Sequence, residues 1–234
     1  MNNIGNADLK LLKDLYPHNY NEMLQKVKNH YPIQYLIGYV DFYNIKIKVT
    51  EDVLIPRFET ELLVDKTIKL LKTKNYTNLI DICTGSGAIA IALKKNLNIE
   101  IDACDISNKA LEIAKVNNTK INYFKMDILK EIPNQKYDCI ISNPPYVKID
   151  EYTSPETKYE PQIALYANNE GLEFYERTLN ISKTILNKHG TIIFEIGKTQ
   201  KEAITKIAKD LYPKSKITTI KDYNNYNRIM FIEN

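Results

Sequence analysis

Long apolar runs are missing from this 234-residue chain. No segment approaches the roughly 18–20 uninterrupted apolar residues of a membrane span, so no membrane partner is expected. Histidine is scarce. His18, His30 and His189 are scattered, and none stands at metal-ligand spacing from a second ligand, so no metal is expected. Cysteine is scarce and odd in number. Cys83, Cys104 and Cys139 form no C-x-x-C pair, and each lies at or near the end of an apolar run. They read as small buried residues in a reducing compartment. Excess charge of one sign is also lacking. The net charge is +3 with lysines dispersed, too weak to argue for nucleic-acid binding, so no direct nucleic-acid partner is expected. Residues Met1-Asn2-Asn3-Ile4-Gly5 carry neither a basic n-region nor an apolar h-region, and glycine is not second. A secretory leader and a myristoyl anchor are therefore not expected, and the expected location is cytoplasmic. Internal repeats and low-complexity tracts are absent. What remains is an ordinary globular composition, long enough for one α/β domain with a small appendage.

Helical periodicity marks residues 7–15 and 19–29, and a third short helix from Pro32 through Leu36, closed by Gly38. Residues 39–49 alternate apolar and polar around Asn44, which predicts a hairpin. After a loop at 54–59, Thr60 is placed to cap a helix whose apolar side is Leu62, Leu63, Ile68, Leu70 and Leu71. From residue 77 strands and helices alternate. Strands are expected at 79–83, 99–105, 121–126, 137–142, 190–196, 217–220 and 228–232. Helices are expected at 88–96, 107–117, 171–188 and 200–211. The last two strands are joined by a link too short for a helical crossover, so they should be antiparallel. The reading is an α/β fold: a Rossmann-like, seven-stranded sheet wound on both sides, with a C-terminal antiparallel hairpin. A short N-terminal helical segment (1–37) and a β-hairpin with linking helix (38–75) precede the sheet domain (76–234).

Four constellations sit at strand ends. Ser142-Asn143-Pro144-Pro145-Tyr146 follows a buried strand, and two prolines stiffen its exit. Asn143 offers an amide edge and Tyr146 a ring face to a flat polar group. Asp81-Ile82-Cys83-Thr84-Gly85-Ser86-Gly87 is a glycine turn between strand and helix, where such sheets bind ligands. Its spacing is not G-x-G-x-x-G, which argues against a pyrophosphate cradle. Asp105 ends the next strand, where a carboxylate can accept from both ribose hydroxyls; NAD and S-adenosylmethionine share that feature. Asp127 and Ile128 follow the third strand, at the edge and face of a possible adenine. Between residue 146 and the next helix runs a polar loop of about 25 residues, too long for a plain connector and expected to act as a functional loop or lid.

With Asn-Pro-Pro-Tyr after the fourth strand, residues 77–234 resemble a class I S-adenosylmethionine-dependent methyltransferase acting on planar nitrogens. Base amino groups and side-chain amides both fit that motif. Three flanks narrow the choice. They are Pro32-Ile33-Gln34-Tyr35-Leu36-Ile37-Gly38 followed by Phe42, then Leu54-Ile55-Pro56-Arg57-Phe58-Glu59-Thr60-Glu61, then Tyr159-Glu160-Pro161-Gln162-Ile163-Ala164-Leu165. Collinear over 32–234, they are similar to the peptide chain release factor glutamine N5-methyltransferase family, whose second and third motifs read L-I-P-R-P-D-T-E and F-E-P-x-x-A-L.

The resemblance implies transfer of a methyl group from S-adenosyl-L-methionine, leaving S-adenosyl-L-homocysteine. The acceptor would be the glutamine amide in the Gly-Gly-Gln loop of class 1 release factors. It implies cofactor contacts from Asp81, Cys83, Thr84, Gly85, Ser86, Gly87, Asp105, Asp127, Ile128 and Asn143. It implies catalytic roles for Asn143, Pro144 and Tyr146. Substrate contacts would come from these three with Pro145, Phe42, Arg57 and Glu59, the last three closing over the site. A monomer is expected. Cys83 stands where the family usually has glycine, and Phe58-Glu59 replaces Pro-Asp. Residues 1–31 precede the matched region and are expected to be a shortened form of the family's N-terminal docking bundle. The alternative among enzymes is an N6-adenine or other base methyltransferase, which would want a target-recognition domain or a basic aromatic strip. A catalytically dead binding module is disfavoured by the intact Asn-Pro-Pro-Tyr, and an NAD oxidoreductase by the spacing of the turn.

Overall fold

The computed structural model describes residues 5–234, so the stretch 1–4 used for the leader and anchor readings lies outside the described residues. The apolar runs after residue 77 assemble into one seven-stranded sheet. Its strands are β3 (Asn78–Ile82), β4 (Glu100–Asp105), β5 (Asn122–Lys125), β6 (Tyr137–Ser142), β9 (Leu186–Glu195), β10 (Lys216–Lys221) and β11 (Asn227–Glu233). The order is β10-β11-β9-β6-β3-β4-β5. β3, β4, β5, β6 and β9 run parallel to one another, while β11 is antiparallel to both β9 and β10. The terminal hairpin is thus as expected. β3 and β6 are buried on both faces, as near-continuous apolar strands at the centre of a parallel sheet must be.

Helices cover both faces. α4 (Phe58–Leu71), α5 (Ala88–Asn96) and α6 (Asn108–Asn117) pack on one side with the hairpin of β1 (Tyr39–Phe42) and β2 (Ile45–Lys48). α8 (Glu173–Ile185) and α9 (Lys201–Leu211) pack on the other, with Tyr175, Leu179 and Ile204 in the core. The hairpin turns on Tyr43 and Asn44, with φ of 47° and 58°, the backbone a tight two-residue turn demands. α1 (Asn6–Leu15), α2 (Tyr20–Lys28) and α3 (Ile33–Ile37) form the appendage around Leu12, Met23, Val27 and Ile33. Among the described residues no helix is long and apolar enough to cross a membrane.

Two expectations are corrected. Thr60 does not cap α4. The chain is extended at Arg57 (φ −92°, ψ 154°), the helix opens at Phe58, and Thr60 lies in its first turn, 3% exposed. The helix expected to reach residue 188 stops at Ile185, because Leu186 turns extended to pair with Tyr137. Asn187 then donates to Asp138 (2.8 Å), and His189 takes a φ of 62° where the register slips. The long polar loop has local structure of its own. It holds two 3-10 turns, Pro155–Tyr159 and Gln162–Ala164, and a short parallel pair, β7 (Val147–Lys148) with β8 (Tyr166–Ala167). It re-enters α8 through α7 (Asn168–Gly171), a turn in which Asn169 and Glu170 have positive φ.

Candidate active site

The strand order reverses between β3 and β6, so their carboxyl ends diverge and leave a crevice. A cavity of about 250 Å³ opens there, with Cys83, Gly85, Asp105, Asp127, Ile128, Asn143 and Pro145 on its walls. Val53 and Leu54, from the segment before α4, and Pro161, Ile163 and Ala164, from the long loop, close the other side. Two of the segments singled out by sequence thus meet over one cavity.

The glycine turn is built from below. Asp81 is fully buried and its Oδ2 accepts from Thr84 Oγ1 at 2.6 Å. Burial pushes its carboxyl up to about 7, and the nearby charge of Asp105 adds to the rise. Asp81 and Thr84 hold the turn in shape and are not on the cavity wall. Gly85 is. It has φ +55°, and nothing stands within 4 Å of where a Cβ would project. Gly87 serves another need, since at φ +81° a Cβ there would lie 2.9 Å from Tyr123 Oη and 3.2 Å from Ala114 Cβ. Ser86 is buried, and its backbone carbonyl accepts from Asn117 Nδ2 at 3.0 Å. Of the turn, Ile82, Cys83 and Gly85 line the cavity.

Asp105 accepts the backbone N–H of Gly85 at Oδ2 and of Ser107 at Oδ1, each at 2.9 Å. Burial raises its pKa against these bonds. Each oxygen keeps a lone pair for a further donor, which suits two vicinal hydroxyls. Asp127 is held by the Leu129 N–H (3.1 Å) and Lys130 (2.9 Å), and Lys130 keeps its carboxyl low. Ile128, Met126 and Phe174 make the neighbouring wall apolar. A carboxylate with free lone pairs, an apolar slot and an open glycine fit the ribose, adenine and methionine parts of S-adenosylmethionine.

Asn143 lines the same cavity. Its Nδ2 donates to Thr60 Oγ1 at 3.3 Å, and Thr60 Oγ1 donates to Glu195 Oε2 at 2.7 Å. The Tyr146 hydroxyl donates to Glu195 Oε1 at 3.4 Å, and Arg228 Nη1 lies 3.4 Å from that hydroxyl. Arg228 is in turn paired with Asp222 at 3.1 Å. Burial raises the Glu195 carboxyl, opposed by Thr60 and Arg228. Burial and Glu195 push the Tyr146 phenol well above its ordinary range, so it stays a donor. Gln200 Nε2 donates to the Tyr146 carbonyl at 3.0 Å and pins the exit of the motif. Pro144 is buried.

The residues expected to close over the site separate. Phe42, 1% exposed, packs in the core beside Ile47 and Val49 and is off the cavity wall. Arg57 pairs with Glu160 at 2.5 Å, not with Glu59, and the Glu160 side chain is 1% exposed. This pair ties the segment before α4 to the long loop. Glu59 lies off the wall, near enough for its charge to raise Glu195. Sequence reading missed Thr60, Glu160, Glu195, Gln200 and Arg228 as parts of the site. One signal was present: Glu195 is a lone charge inside the apolar run of 190–196.

A family model described as "Methyltransferase small domain" matches residues 59–157. A release factor glutamine methyltransferase from Streptococcus pneumoniae is 39% identical over 223 residues, covering 91% of this chain and 78% of its own length. Another of that name from Lactococcus lactis is 34% identical and covers 98% of this chain and 84% of its own length. Among solved structures, a methyltransferase from Pyrococcus furiosus superposes with a TM-score of 0.60 at 18% identity, covering 91% of this chain and 98% of that one. This last likeness shows the fold.

The two glycines should fail differently. Gly87→Ala should cost about 3 kcal/mol of stability from backbone strain and overpacking, read as a lower denaturation midpoint. Gly85→Ala should cost about 1 kcal/mol but weaken S-adenosylmethionine binding at least tenfold by titration calorimetry. Equal stability losses with unchanged binding would contradict this division. Asp81 gives a pH signature. Its folded pKa of about 7 lies above the ordinary 3.8, so the folded state holds the extra proton between these values. Stability should therefore fall as pH rises through that window, by on the order of 4 kcal/mol, and level off above it. Asp81→Asn should remove that slope in denaturant titrations at pH 5 and 8; an unchanged slope would refute it.

Proposed function

The chain belongs to the release factor glutamine methyltransferase family, and on that premise we propose that it methylates the glutamine amide nitrogen in the Gly-Gly-Gln loop of class 1 translation release factors. The single observation that carries this reading is that Asn143 and Asp105 line one cavity. An acceptor amide and a nucleoside cofactor would thereby be brought to one crevice. The base-methylating alternative is not favoured, since the relatives that match most of the chain carry the release-factor name.

S-Adenosylmethionine, when bound, supplies a methyl group on a positively charged sulfur that leaves as a neutral thioether. Asp105 would take the ribose hydroxyls, Ile128 and its apolar neighbours the adenine, and Cys83 and Gly85 the methionine end. The amide of glutamine is a poor nucleophile because its lone pair is delocalised. Asn143 Oδ1 and the Pro144 carbonyl would each accept one of its N–H groups. These bonds strengthen as positive charge grows on the nitrogen, so they favour the transition state over the bound substrate. They also aim the lone pair at the methyl group. Tyr146 would lie against the planar amide, its hydroxyl already engaged. The nitrogen gains the methyl and releases one proton to solvent, so no strong base is needed. No step calls for a metal. The reading has the enzyme acting as a monomer in the cytoplasm, with no membrane or nucleic-acid partner.

Labelled methyl transfer to purified release factor tests this. Asn143→Ala should lower turnover by roughly 10²–10³ with S-adenosylmethionine affinity nearly unchanged. Normal turnover in that variant would remove Asn143 from the mechanism. A release factor carrying Gly-Gly-Asn should accept no label, and persistent labelling would refute the acceptor assignment.

A further inference from the structure

The hydrogen bonds behind Asn143 run in one direction. Glu195 ends β9, 1% exposed, and a carboxylate only accepts. Its Oε2 lies 2.7 Å from Thr60 Oγ1, so the single hydroxyl proton of Thr60 points at Glu195. Toward Asn143 that hydroxyl offers lone pairs alone. The Asn143 atom 3.3 Å away is therefore the NH2 group, and Oδ1 is turned away from Thr60. Nothing in the cavity is required to hold this arrangement.

We propose that Thr60 and Glu195 are positioning residues that lock the side-chain amide of Asn143, so that its oxygen and not its nitrogen meets the acceptor NH2. The proposal rests on the glutamine-methylation reading. Released from Thr60, the amide could turn over and set N–H donors against the N–H donors of the substrate, losing the aimed acceptor. The lock is well founded. Thr60 is 3% exposed in the first turn of α4, and Glu195 also receives the Tyr146 hydroxyl, so one carboxylate fixes both ends of the motif. Arg228, 3.4 Å from that hydroxyl, lies close enough for its charge to oppose the rise in the Glu195 pKa.

Thr60→Val keeps the shape and removes the acceptor; Thr60→Ser keeps the acceptor and removes a methyl group. With release factor as substrate, Thr60→Val should lower kcat by roughly ten- to a hundredfold, part of the loss expected for removing Asn143 itself, with little change in KM or in S-adenosylmethionine affinity. Thr60→Ser should stay within about threefold of the wild type. Wild-type kcat in Thr60→Val, or an equal fall in Thr60→Ser, would overturn the proposal, the latter by pointing to packing. A second measurement does not depend on turnover or on the variants folding. In the wild-type protein, NMR should show nuclear Overhauser contacts from the Asn143 side-chain NH2 protons to the Thr60 side chain; their absence would overturn the proposal. If the wild type methylates no release factor, the functional reading fails, while the Overhauser contacts still decide the lock.

Discussion

A carboxylate taken out of water at the end of an apolar strand has to be hydrogen-bonded, or it destabilises the fold. Glu195 is that carboxylate, and its surroundings come from three separate parts of the chain. Thr60 arrives on the first turn of α4 and Tyr146 from the exit of β6, and both bond it. Arg228, on β11, brings a guanidinium close to them, itself anchored by Asp222 and by the carbonyl of Ile196. Satisfying one buried charge therefore fixes where α4 begins and how the proline motif leaves the sheet. It also gives the terminal antiparallel strand a part in the site that its distance along the chain conceals.

A second buried charge organises the other side of the cavity. Glu160 pairs with Arg57 and thereby binds the long loop to the segment before α4. Such a pair need not add stability, because desolvation offsets attraction, but it selects one arrangement of two flexible segments. The N-terminal appendage leans on the same loop. The rings of Tyr31 and Tyr159 meet edge-on at 5.0 Å, and Tyr159 donates to the carbonyl of Asn29 at 3.2 Å. Two of the three stretches that resembled the family in sequence, 54–61 and 159–165, meet over the cavity. On the proposed reading, the loops would set substrate choice and the sheet ends would hold the cofactor.

The sheet was legible because its strands are apolar runs bounded by glycine, proline and polar turns, a pattern that survives without knowledge of neighbours. Asp105 and Asn143 were legible because strand ends in such a sheet converge on one edge. Thr60 was misread for a physical reason. A threonine before an apolar helical stretch is a good cap by local rules, and only the distant Glu195 makes it a buried link. Phe42 was misplaced similarly, since a ring in a hairpin serves a core or a site equally well until the packing partner is known. Arg57 and Glu160 are 103 positions apart, so no local pattern could pair them. Gly87 and Gly85 look alike in sequence, yet one yields to Tyr123 and the other to the cavity.

Tandem mass spectrometry of a release factor, incubated with this enzyme and S-adenosylmethionine and then digested, measures the outcome most directly. One added methyl group should be found in the peptide holding Gly-Gly-Gln, and its fragments should place that group on the glutamine side-chain nitrogen. An unmodified loop, or a methyl group on any other residue, would contradict the account.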